Sequence, residues 1–151
     1  ECMIEIAKAK IDGGSIYPEI CGEICFKQIR DGVLITVQIC NLPHSNIGCN
    51  SRIFGFHIHE GNSCTGDSED EFKNALTHYN PQKCEHPQHA GDMPPLFENN
   101  GYAYLSFFTN RFEVKDVIGK VVIIHDMPDD FNTNPSGNSG TKIACGKIEV
   151  C

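Results

Sequence analysis

The sequence predicts an all-β sandwich or barrel, and three observations carry that prediction. Stretches in which apolar and polar residues alternate recur along the chain, the mark of half-buried strands. Gly, Pro and Asn separate those stretches, as turns between short strands require. No stretch of helical period outlasts a turn or two, so helices have little claim on the core.

Met3–Ile11 is the first candidate strand. Glu23–Ile29 comes next, followed by a run in which Val33, Ile35, Val37 and Ile39 alternate with Leu34, Thr36, Gln38 and Cys40. Arg30-Asp31-Gly32 between these two runs reads as a hairpin turn. Phe54, Phe56 and Ile58 form one face of a further strand, with Gly55, His57 and His59 on the other. Tyr102–Phe108, Lys120–His125 and Lys142–Val150 bring the count to seven or eight strands. Two segments fit no strand: Gly61–Asn100, acidic at first and then rich in Pro and His, and Asp126–Gly140. Loops that long in a compact domain are usually functional, and a bound ion would order them.

The 151 residues fit one domain, 1–151, large enough to hold its own core. Twelve Lys+Arg against 20 Asp+Glu leave a net charge of −8, and no basic stripe is present to meet nucleic acid. No apolar run approaches the length of a bilayer crossing, so a membrane partner is not expected. The chain opens at Glu1 without a basic-then-apolar leader, so a signal peptide is read as absent or already removed.

Nine cysteines are many for this length, and none forms a C-x-x-C pair, which argues against a zinc ribbon or a thioredoxin motif. Such usage points to an oxidising compartment and an exported protein, with the cytoplasm not excluded. The odd count leaves at least one thiol free or paired between chains.

The histidines are the most informative residues. His57 and His59 stand two apart on a predicted strand, so both rings leave one face with Cα atoms roughly 6.6 Å apart, close enough to share a metal. His78, His86, His89 and Asp92 follow within one loop, a donor set that suits tetrahedral zinc. His125 ends another strand, so six of the seven histidines fall into this pattern and only His44, in a connection, is left to the surface.

Gly55-Phe56-His57-Ile58-His59-Glu60-Gly61, His78-Tyr79-Asn80-Pro81 and His89-Ala90-Gly91-Asp92 resemble, in order, the copper–zinc superoxide dismutases. Ile118-Gly119, Val122-Ile123-Ile124-His125, Asp129-Asp130 and Gly137-Asn138-Ser139-Gly140-Thr141-Lys142-Ile143-Ala144-Cys145-Gly146 continue the resemblance to the end of the chain. It implies an eight-stranded Greek-key sandwich with the metals outside the barrel, under the two long loops.

Position by position, the resemblance makes His57, His59 and His125 copper ligands and His78 the bridge between copper and zinc. His86, His89 and Asp92 complete the zinc site, and Asp129 is the carboxylate linking a copper histidine to a zinc histidine. Cys64 and Cys145 correspond to the family's intrasubunit disulfide. The implied activity converts superoxide anion to oxygen and hydrogen peroxide, with His78 delivering a proton in the second half-reaction. The alternative is a weak or inactive relative that binds zinc and copper as a metal-binding or interaction module.

Lys142 stands where the family usually has Arg. It implies a positive charge above the copper that attracts the anion, without the two-pronged geometry of a guanidinium, and hence reduced activity. Asp67, Glu69, Asp70 and Glu71 read as a solvated loop face. In this fold the first and last strands are neighbours, so Cys2 and Cys151 are candidates to pair. For Cys21, Cys25, Cys40, Cys49 and Cys84, extra disulfides, buried thiols and an accessory zinc thiolate all stay open. Monomer or homodimer is not decided, and Tyr102, Tyr104, Phe107 and Phe108 fit either a core or an interface.

Overall fold

The computed structural model describes residues 5–151. Its strands are β1 (Ile6–Gly13), β2 (Cys21–Ile29), β3 (Gly32–Cys40), β4 (Ile53–Phe54), β5 (Phe56–His59), β6 (Leu96–Phe97), β7 (Ala103–Thr109), β8 (Val121–His125) and β9 (Lys142–Val150). One turn of 3-10 helix (Lys73–Ala75) and the four-residue helix α1 (Val114–Val117) are the other regular elements among the described residues.

Seven strands form one curled antiparallel sheet in the order β5-β8-β9-β1-β2-β3-β7, and β4 pairs with β6 in a short ribbon. Strands adjacent in space but distant in sequence, such as β1 with β9 and β3 with β7, give the Greek-key connectivity. The alternation expected from sequence sorts the side chains. Ala7, Ala9, Ile11, Ile24, Phe26, Val33, Ile35, Val37, Ile39, Val122, Ile124 and Ile148 line one buried cluster, while the intervening residues take the other face of the sheet, open over β1–β3 but covered at Val121, Ile123 and Cys145. Burial of that apolar surface is the main stabilising term of the fold. The hairpin closes as expected, with Ile29 paired to Gly32 around Arg30-Asp31.

One expected strand is in fact two. The run Phe54–His59 breaks at Gly55, so that β4 turns to pair with β6 while β5 stays in the main sheet beside β8. Gly55 donates its N–H to Met127 O and accepts from His125 N, and a Cβ there would collide with the Ser139 side chain. Counting β4 and β5 as one bent strand gives the eight strands of the expected architecture. The segment Gly61–Asn100 is not wholly strandless, since it contains β6, too short after Pro94-Pro95 to show alternation. β1 runs Ile6–Gly13, against an expected Met3–Ile11, and Met3 and Cys2 lie outside the described residues, as does the suggested Cys2–Cys151 pair. Phe107 packs on the core, whereas Tyr102, Tyr104 and Phe108 are exposed. No helix among the described residues is long and apolar enough to cross a membrane.

Candidate metal centre

β5 is an edge strand, and its free edge is covered by the long loop that follows it. Tyr79 N–H donates to Ile58 O, Ile58 N–H to Gly91 O, and Gly91 N–H to Tyr79 O. Bridges pair His59 with His78 and His57 with Asp92. The backbone thereby carries both halves of the His-rich loop to the strand that bears His57 and His59. β8 brings His125 from the other side, and a register irregularity at Ile124/His125 in its pairing with β9 re-aims the last residue.

Two groups of side chains result. His57, His59, His78 and His125 form one, and His78, His86, His89 and Asp92 the other; within each, the candidate ligand atoms lie within 4.8 Å of one another. His78 belongs to both. The histidines are all buried and Asp92 is nearly so. His44 stays exposed, its Nδ1 3.1 Å from Leu42 O.

The hydrogen bonds fix which ring nitrogen carries the proton, because carbonyl and carboxylate oxygens only accept. His59 Nδ1 donates to Leu76 O at 2.9 Å, and His125 Nδ1 to Gly140 O at 3.2 Å. Their Nε2 atoms, both left with lone pairs, face each other at 3.2 Å. His57 Nε2 and His86 Nε2 donate to the two oxygens of Asp129, each at 2.7 Å, which leaves the Nδ1 of both rings buried without a partner. His78 Nδ1 donates to Asp92 Oδ1 at 2.8 Å, and its Nε2 is likewise orphaned.

An unpartnered buried polar atom costs about 1–3 kcal/mol. Here several bare ring nitrogens converge, an arrangement that a bound cation relieves. Four imidazoles suit copper or zinc, and three imidazoles with a carboxylate suit zinc, so the residues present fit both ions.

Electrostatics agree. Burial, reinforced by neighbouring rings, pushes His57 down to about 4 and His125 to about 3, and drives His59 well below the usual imidazole value. Burial also lowers His89. His57, His59, His89 and His125 are therefore neutral at physiological pH, the form in which an imidazole ligates a metal. Burial alone would raise Asp129, but hydrogen bonds from His57 and His86 outweigh it and hold the carboxyl well below the ordinary range. Asp92 behaves the same way, with His78 as the main opposing partner.

A pH dependence follows. Unfolded imidazoles protonate near pH 6.5 and these two folded rings near 4 and 3, so in that window the unfolded chain binds more protons. Metal-free protein is expected to lose stability as pH falls from about 6.5 towards 3, by on the order of 3–5 kcal/mol per ring when complete. Urea unfolding of chelator-treated protein at a series of pH values measures it, and a flat profile contradicts it.

Several contributors carry no signal in the sequence. Arg111 Nη1 donates to Pro87 O and His89 O at 2.8 and 3.1 Å, clamping the loop of the second group. His86 N–H donates to Asn134 Oδ1 at 2.9 Å, tying that loop to the last one. Gly137, at φ +68°, packs so closely on Asp129 and His86 that no Cβ fits. The carbonyls of Leu76 and Gly140 orient two rings, and nothing in a residue's identity announces a carbonyl.

The charge of Lys142 is paired: its Nζ donates to Asp70 Oδ2 at 2.7 Å and to Phe72 O at 3.4 Å. The acidic segment is accordingly more than a solvated face, since Asp70 holds Lys142 and Glu71 accepts from the N–H and hydroxyl of Ser15. Cys64 and Cys145 form a disulfide between the loop and β9, as the resemblance implied.

The family model for copper/zinc superoxide dismutase matches residues 20–148. The chain belongs to the copper/zinc superoxide dismutase family. Among its relatives, the Cu-Zn superoxide dismutase of Legionella pneumophila is 34% identical over 140 residues, covering 87% of this chain and 80% of the relative. One Cu-Zn superoxide dismutase of Aquifex aeolicus is 35% identical over 137 residues, covering 81% and 76%. A superoxide dismutase-like protein of Bacillus subtilis is 36% identical over 110 residues, covering 62% of this chain and 54% of the relative. Copper and zinc are the metals this family implies, and the two histidine groups are where the chain has donors for them.

Proposed function

We propose that this single domain dismutates superoxide at a copper–zinc centre, with His57, His59, His78 and His125 as the copper set and His78, His86, His89 and Asp92 as the zinc set. The observation that carries the reading is the ring shared by both groups, His78, whose Nε2 is buried and unpartnered while its Nδ1 faces Asp92. When bound, copper supplies a one-electron redox couple, whereas zinc has no redox chemistry and holds structure.

The chain's own residues do the rest. His78 Nε2, the bare nitrogen of a ring held by Asp92 and by the backbone bonds of Tyr79, is the atom that would take up and deliver a proton, and Nδ1 would give up its own proton on joining the zinc set. Asp129 fixes one ring of each set in the tautomer that leaves Nδ1 bare. The buried surroundings keep competing water from the rings, and the Cys64–Cys145 disulfide suits an oxidising, extracytoplasmic compartment.

Lys142 supplies the local attraction for the anion, on a chain whose net charge of −8 otherwise repels it. Because Asp70 neutralises that ammonium, Asp70→Asn is expected to raise the superoxide rate about several-fold at low ionic strength, with the gain fading as salt screens it. Rates of both forms across a salt series test this, and an unchanged rate contradicts it.

The same ion pair favours the second reading, a metal-binding protein of little activity. One experiment separates the two: metal content per chain after reconstitution with copper and zinc, with superoxide disappearance measured on the same sample. One copper and one zinc with turnover supports the dismutase. Stoichiometric metals without turnover overturn it in favour of the metal-binding module.

A further inference from the structure

Cys21 opens β2 and Cys40 closes β3, and the register of the hairpin makes them direct cross-strand partners. Both are exposed. Ile39, one residue from Cys40, and the Ile24–Val37 pair, three residues along, turn to the core, so the two thiols share the outer face of the sheet. Directly opposed residues of an antiparallel pair have Cα atoms roughly 4.5–5.5 Å apart, inside the roughly 4.4–6.8 Å that a disulfide spans. In the pairings of the named strands this is the sole instance of cysteine opposite cysteine: Cys25 faces Lys8 and Thr36, and Cys145 faces Asp12 and Ile123. Asp12 also separates Cys21 from Cys145, which puts them two strand spacings, about 10 Å, apart and out of reach of direct exchange.

We infer that Cys21 and Cys40 form a second, reversible disulfide, made by hydrogen peroxide, that closes the open end of the β2–β3 hairpin. One sulfur attacks a peroxide oxygen: an S–O bond forms, the O–O bond breaks, and the departing hydroxide takes the thiol proton as water. The other sulfur attacks the resulting sulfenic sulfur: the S–S bond forms, the S–O bond breaks, and a second water leaves with the remaining thiol proton. Two thiols are oxidised and one peroxide is reduced to two waters. Exposure of both sulfurs makes this bond open to reductants, unlike Cys64–Cys145, where Cys145 is buried. The origin of the peroxide rests on the proposed dismutation; the thiol geometry does not.

The full chain is treated with added hydrogen peroxide, its remaining thiols are alkylated, and the unreduced digest is mapped by mass spectrometry. The expected product is a peptide pair joining Cys21 to Cys40, lighter by two hydrogens, released by dithiothreitol, with Cys25 still alkylated. In Cys40→Ser the link is lost and Cys21 is trapped by dimedone as the sulfenic acid. Alkylation of both Cys21 and Cys40 after peroxide, or linkage of Cys21 to any other cysteine, overturns the inference. The wild-type map decides even if the variant fails to fold. Added peroxide forms the bond whether or not the chain makes any; formation during superoxide turnover, abolished by catalase, tests the source separately.

Discussion

Asp129→Asn is expected to weaken the binding of both metals by about 10–100-fold while leaving the fold intact. The carboxylate accepts from His57 Nε2 with one oxygen and from His86 Nε2 with the other, both at 2.7 Å. An Asn of the same shape has one oxygen left to accept and an NH2 that donates. One of the two rings must then move its proton from Nε2 to Nδ1, the nitrogen that faces the metal position. Either choice removes a ligand, His57 from the first group or His86 from the second, and the ring that keeps its bond loses the charge of its partner. Competition against a graded chelator, reading copper and zinc separately, measures the loss. Undiminished affinity for both ions would show that the tautomers are set elsewhere.

This strut was legible in the sequence only as a correspondence. Asp129 sits in a loop with no periodicity, and its reach to two rings on different segments is a fact of tertiary structure. Other parts of the molecule were legible for physical reasons. Alternation in β3 exposes the period of a half-buried strand directly, and β2, β8 and β9 stand out as short runs between turn residues, so the bounds of all four lie within two residues of those expected. The pair His57 and His59 could be placed on one face by the same period. The break at Gly55 was invisible because the groups packed against it, Met127 O and the Ser139 side chain, arrive from a remote loop. The partner of Lys142 was invisible for a similar reason. Its charge is fixed by residue type, but the carboxylate of Asp70 that neutralises it comes from the other long loop. The carbonyls of Leu76 and Gly140 act through the backbone, which every residue shares.

The remaining large effect concerns the loop that supplies one of those carbonyls. The disulfide joins residues 81 apart in sequence, and removing a native bond of that reach costs about 2–5 kcal/mol. In a chain of this length that corresponds to a fall in melting temperature of about 10 °C. The double variant Cys64→Ser/Cys145→Ser tests it without stranding a thiol. The effect on the two metal groups should be unequal. Cys64, Phe72, Ala75, Val121, Ile123 and Cys145 form a small apolar cluster of their own, and the bond pins that cluster to β9. Leu76 follows directly after Ala75, and its carbonyl orients His59. Loosening the segment therefore frees His59 to turn its protonated nitrogen inward and weakens the first group. The second group shares His78, two residues beyond Leu76, but the segment carrying His86 and His89 is tied by Arg111, Asn134 and Asp129, none of which belongs to the loosened stretch. Copper affinity should accordingly fall further than zinc affinity in the double variant, measured on the same reconstituted sample. Equal losses at the two groups would mean that the disulfide holds the whole centre through general stability and not through the His59–Leu76 bond.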